Sequence, residues 1–208
     1  MPGVAGVGQL NKVMCNMVEN DINRFVIAQE QLPENFPTHL HQSVFWESLG
    51  RAVGTFGFLE EVLGKAIFAL SATRPYKENE IKSAYEKWLP MLERALYDQL
   101  GGLIDSFGKA VREHPKSTIN NLDELLADLK KAAEMRNLLC HGSWGAPDDS
   151  GASLPLFVNR KMEIFDTKVD CAFLNQVQVS VASLACDVIN TVTHMGFQFP
   201  GSSGPGVR

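Results

Sequence analysis

The sequence predicts an all-α protein: a helical bundle with a small β-hairpin excursion before its last helix. Three observations predict it. Apolar residues recur at helical spacing along most of the chain, prolines fall between the periodic runs, and one short stretch near residues 154–167 reads as paired strands instead. At 208 residues and 45% hydrophobic content, the chain can bury a sizeable core as one domain. That helical domain is expected over residues 9–198. Disordered ends are expected at 1–8, which opens Met1-Pro2-Gly3, and at 199–208, which is rich in Gly, Pro and Ser.

A first helix is expected from Gln9 to Gln31, because Pro33 and Pro37 stop it. A second runs from Leu40 to Thr73, with an apolar seam of Leu49, Val53, Phe56, Leu63, Ile67 and Leu70. Arg74-Pro75 ends it. A third runs from Glu78 to Glu113, kinked or split by Pro90 and weakened at Gly101-Gly102, until His114-Pro115. A fourth starts at a cap on Thr118 or Asn121, with Asp123 and Glu124 suited to its first turn. It reaches His141, where Gly142 offers a stop. Leu154–Asn159 and Met162–Thr167 then pair around Arg160-Lys161. A last helix, Asp170 to Met195, is mostly apolar and should be well buried.

Composition narrows the function classes. A net charge of −5 argues against a general nucleic-acid coat but leaves room for a local basic cleft. Cys15, Cys140, Cys171 and Cys186 are scattered with no CxxC pair, which reads as reduced thiols in a cytoplasmic protein. Met1 to Leu10 show no secretory pattern, and no stretch approaches the apolar length of a membrane span, so no membrane partner is expected. There is no Walker loop, no GxGxxG and no GxSxG, and no cofactor is expected.

Two charges stand on apolar stripes. An α-helix turns about 100° per residue, so relative to Leu122 the residues Leu129, Ala133 and Cys140 lie within about 20°. Arg136 lies about 40° away, inside the same stripe. On the second helix Glu60 lies about 20° from Leu49, between Val53 and Ile67. A buried guanidinium needs a partner, and Glu60 is the matching anomaly. Glu61 and Lys65 lie on another face and read as a surface i,i+4 pair. The pair Glu60–Arg136 is open to two readings: an ion pair that fixes helix register, or an anchored functional arginine.

The following residues bear on that choice. Asn137 and His141 are i and i+4 and share a face, which Glu134 and Lys130 extend backward. His141 closes the helix, where the negative end of the dipole favours an imidazolium. Histidine ordinarily titrates near neutrality and can act as general base or acid; a C-terminal histidine before glycine is also a common cap. Arg136 and His141 are about 140° apart on an ideal helix. They converge on one phosphate only if the helix ends at His141 or if a second subunit contributes.

Arg136-Asn137-Leu138-Leu139-Cys140-His141-Gly142 resembles the signature of HEPN domains: arginine, a polar residue, then histidine after four to six intervening positions. Leu59 to Lys65, with Glu60, Glu61 and Lys65, resembles the acidic-then-basic upstream helix of that family. The resemblance spans Leu49 to Met195 in order, and its closest part is the six residues Arg136 to His141. It implies an α-helical bundle, a homodimer that places two motifs in one cleft, and metal-independent endoribonuclease activity on an RNA substrate. It further implies toxin or antiviral defence roles, with an antitoxin protein as partner. Arg136, Asn137 and His141 would be catalytic, supported by Glu60, Glu61, Lys65 and Lys130. Some members of the family are non-catalytic and bind a nucleotide, RNA or a protein. That is the second reading, and the joint presence of Arg136, Asn137 and His141 favours the enzyme.

Other residues carry less. His39 and His41 lack neighbours at metal-ligand spacing and read as surface or capping residues. Cys140-His141 with Cys171 is a poor metal set, because adjacent helical residues point apart. Asp148-Asp149 reads as a solvated loop. Trp46, Trp88 and Trp144 read as core or interface residues, and Trp144 could alternatively stack a base.

Overall fold

A computed structural model describes residues 26–117, 119–159 and 161–202. The chain divides into two compact units, Met1–His39 and Leu40–Arg208. In the first, most of the helix expected from Gln9 to Gln31 lies outside the described residues. Its described end is not α-helical: Gln29–Gln31 is a 3-10 turn that follows irregular backbone. The reason is local. Leu32 is extended, as the residue before Pro33 must be. Asn35 then turns the chain with φ of 61°, and its carbonyl accepts from the backbone N–H and hydroxyl of Thr38.

The second unit is an all-α bundle with a two-strand antiparallel ladder before its last helix. Its axis is α1, Ser43–Ala72. Leu49, Phe56, Leu63, Ile67 and Leu70 recur at spacings of three, four or seven residues and are buried, so the apolar stripe makes α1 the centre of the core. Val53, in the same seam, packs partly buried against it.

The third expected helix is two helices, α2 (Ile81–Ala95) after a 3-10 turn and α3 (Leu100–Glu113). The split lies beyond Pro90, which remains inside α2. Proline lacks one N–H, but α2 buries no residue, so exposed backbone there can bond water. Residues 96–99 separate the two helices, and there the Asp98 N–H donates to Arg94 O and its carboxylate pairs with Arg94 at 3.2 Å. Gly102 admits that carboxylate: a Cβ there would stand 3.0 Å from Asp98 Oδ2.

The fourth helix, α4, spans Leu122–His141. Asn121 holds the cap position without a side-chain cap bond, and Thr118 lies outside the described residues. Leu122, Leu126 and Leu129 are buried, but Ala133, expected in that seam, is half-buried and Cys140 is exposed. Toward the end the buried side moves to Ala132 and Leu139. Helices that cross at an angle, as packed helices do, give such a drifting stripe. Gly142 ends α4 in extended backbone, with φ of −66°, so its left-handed freedom is unused. Close approach requires it instead: a Cβ would stand 2.7 Å from Leu138 O and 3.2 Å from Pro155 Cβ.

The β excursion differs from expectation in its partners. Strand β1, Ser143–Trp144, pairs with β2, Pro155–Leu156. The expected pairing around Arg160-Lys161 survives as one bridge, Val158 with Ile164, and Arg160 lies outside the described residues. Asn159 organises that turn. Its Oδ1 accepts from the N–H groups of Lys161 and Glu163, each at 2.9 Å.

The last helix, α5, spans Cys171–His194 and packs along α1. Asp170 caps it by accepting from the Phe173 N–H at 2.7 Å. It is less buried than expected: Leu174, Val181, Ala185, Val188 and Val192 face the core, while Val179 is 70% exposed. By length and composition alone α5 could cross a membrane, which corrects the reading that no stretch approaches that length. Phe199, placed in the expected tail, is buried in the core.

Candidate functional site

Arg136, Asn137 and His141 line one groove of about 800 Å³. Three elements build it. The C-terminal half of α4 supplies these three residues with Lys130 and Glu134, the amino end of α3 supplies Leu100, Gly101, Gly102 and Asp105, and the β excursion supplies Phe157, Val158, Asn159 and Lys161. Arg136 and His141 both line the groove, and α4 stops at His141. All three motif residues of one chain therefore line a single groove.

Arg136 is held by Glu60 across the core face. Its Nη2 stands 3.9 Å from Glu60 Oε1, an ion-pair distance beyond hydrogen-bond reach, and both side chains are 30% exposed. The seam position of both charges was legible; their partial exposure was not. Arg136 Nη1 also donates a long bond, 3.5 Å, to Asn137 Oδ1. Asn137 and His141 are exposed to solvent in the groove. Glu61 pairs instead with Lys65 at 2.6 Å on the surface, and neither lines the groove. Lys130 lines it but is tied to Asp105 at 3.1 Å.

The groove carries the side-chain cations Lys130, Arg136 and Lys161 against the carboxylates of Asp105 and Glu134. Lys130 is paired with Asp105 and Arg136 with Glu60, so Lys161 is the groove cation that makes no ion pair among the described residues. The amino end of α3 opens here too. Gln99 makes no side-chain cap bond, and the dipole places its positive end at the groove.

Other sequence candidates fall elsewhere. Trp144 packs edge-on against Phe45, ring centres 5.2 Å apart, and is not part of the groove wall. Trp88 Nε1 donates to Ser71 Oγ at 2.9 Å. Among the described residues, no group of three or more His, Cys, Asp or Glu is gathered for a metal, and Cys140-His141-Cys171 is not such a group. His41 is neither surface nor cap: it is buried, stacked on Phe45 at 4.3 Å, and its Nε2 has no hydrogen-bond partner. Burial pushes its pKa below the ordinary histidine value. Asp148 is more than a solvated loop residue. It accepts from Ser150 and from the Ala152 N–H and pairs with Lys168 at 2.6 Å, which holds its carboxyl well below the usual carboxylate range.

Phe157, Val158 and Lys161 went unread as site residues, although the motif histidine lies close before them in sequence. Strand alternation would not have marked them, because adjacent Phe157 and Val158 both line the groove. Compared with protein-family models, curated proteins and solved structures, the chain matches none.

Proposed function

We propose that this protein is a metal-independent endoribonuclease of the HEPN type. The observation that carries the reading is that Arg136, Asn137 and His141 line one groove, with Arg136 anchored by Glu60. His141 is exposed there, at the end of α4, and takes the proton of a ribose 2′-hydroxyl. The 2′-oxygen forms a bond to phosphorus, and the 5′-oxygen leaves with the bonding electron pair and takes up a proton. The products are a 2′,3′-cyclic phosphate and a 5′-hydroxyl. Arg136 stabilises the charge on the phosphate, and Asn137 orients the substrate or the imidazole. In this reading the protein acts in the cytoplasm as a toxin or antiviral effector, assembles as a homodimer and meets an antitoxin protein. Those last points rest on the family resemblance of the motif.

The second reading is a non-catalytic interaction module whose groove binds a nucleotide, RNA or a protein. The modest ion-pair contact at Arg136 serves either reading. Incubation of purified protein with mixed RNA in EDTA, beside His141→Ala, separates them. Cleavage by wild type alone supports the enzyme. Groove-dependent binding by an inert wild type supports the module.

A further inference from the structure

We infer that the β-excursion wall of the groove is a base-stacking and second-phosphate subsite, with Phe157 as the platform and Lys161 as the cation; this rests on the ribonuclease reading above. The motif residues Arg136, Asn137 and His141 all come from α4 and can address one phosphate. They leave the base of the bound nucleotide unaccounted for. The wall opposite supplies what is missing.

Phe157 is half-buried and lines the groove, yet it is not among the side chains packed on the hydrophobic core. Phe165, opposite it in the same excursion, does pack on that core. The backbone bond from the Phe165 N–H to Phe157 O, at 3.1 Å, ties the strand carrying Phe157 to one that is anchored. An aromatic ring that the core does not use, fixed at the edge of a groove that holds Arg136 and Lys161, is suited to stack a base.

Lys161 is exposed on the same wall, and its ammonium makes no ion pair among the described residues. Its backbone position is set by Asn159, whose Oδ1 accepts the Lys161 N–H and whose Nδ2 donates to Glu163 at 2.7 Å. Asn159 is thus occupied in holding the turn, and the base is gripped by stacking rather than read by an amide. A groove of about 800 Å³ falls in the range of small-ligand sites. Its occupant must offer a free base face, which a single strand does and a duplex does not.

The test uses the full chain carrying His141→Ala, so that bound RNA stays intact, and fluorescein-labelled single-stranded RNA hexamers read by fluorescence anisotropy. Phe157→Ala and Phe157→Leu are each expected to weaken binding roughly tenfold, in line with loss of one base stack. The leucine variant keeps apolar bulk, so equal binding by it overturns the stacking role even if the alanine variant fails to fold. Lys161→Gln is expected to lower the slope of log affinity against log salt by about 0.7, the share of one single-strand phosphate contact. An unchanged slope removes Lys161 from the site. A duplex of the same length should bind more weakly than the hexamer, and equal binding overturns the base-stacking subsite. If wild type cleaves RNA while all wall variants bind and cleave as their parents do, this inference falls alone. If wild type cleaves no RNA and the His141→Ala chain binds none, the ribonuclease reading falls and takes this inference with it.

Discussion

Arg136 Nη2 and Glu60 Oε1 face each other at 3.9 Å across the seam of α4 and α1, each side chain 30% exposed. Solvent reaches both groups, so the pair is weaker than a buried one and leaves the guanidinium free to turn toward a ligand. A double-mutant cycle with Arg136→Ala and Glu60→Ala should give a coupling of at most about 1 kcal/mol in urea denaturation. A coupling of several kcal/mol would show that the pair is a structural lock.

The activity consequences differ between the motif residues. His141→Ala should lower RNA cleavage by roughly two to four orders of magnitude while leaving the thermal midpoint unchanged, since the imidazole is exposed. DNA should not be cut by wild type, because it lacks the 2′-hydroxyl nucleophile. Rapid cleavage by the His141→Ala chain in a gel assay would assign the activity to another site.

Gly142 sets where His141 stands. A Cβ at 142 would meet Leu138 O at 2.7 Å and Pro155 Cβ at 3.2 Å, at the junction of α4 with the β pair. Gly142→Ala should therefore destabilise by about 1–3 kcal/mol, as overpacking does, and should reduce cleavage beyond what the lost stability explains. An unperturbed urea midpoint would show that the junction relaxes freely.

Acid sensitivity follows from two buried histidines. His114 is 3% exposed, edge-on to Phe197 with ring centres 5.0 Å apart, and its Nδ1 accepts from the Lys116 N–H. Burial first, and then the cations Lys116 and Arg74, push its pKa below the ordinary histidine value, against a raising contribution from Thr73. His41 is shifted the same way by burial. Both therefore bind protons more readily in the unfolded chain. Stability should be level above the ordinary histidine pKa and should fall as pH drops through about 6.5. Urea midpoints from pH 8 to pH 5 check the sign, and His114→Gln should flatten the profile. A midpoint that rises toward pH 5 would mean that the two rings are charged in the fold.

The ladder of apolar residues in α1 and the start of α4, and the motif Arg136-Asn137-His141, could be read directly from the chain. Their spacing is local information, and burial of Leu49, Phe56, Leu63, Leu122 and Leu129 follows from helical period alone. Helical rotation of about 100° per residue favoured Glu60 over Glu61, and the structure decides it: Glu60 faces Arg136 while Glu61 pairs with Lys65. What tertiary structure decided is where those faces drift and which strands pair. Ala133 borders the core half-buried, where Ala132 is buried, and α2 continues through Pro90 to Ala95. The far wall of the groove is likewise a long-range product. Phe157 and Lys161 reach Arg136 and His141 only through pairing of Ser143–Trp144 with Pro155–Leu156, and no periodicity within either segment specifies that contact.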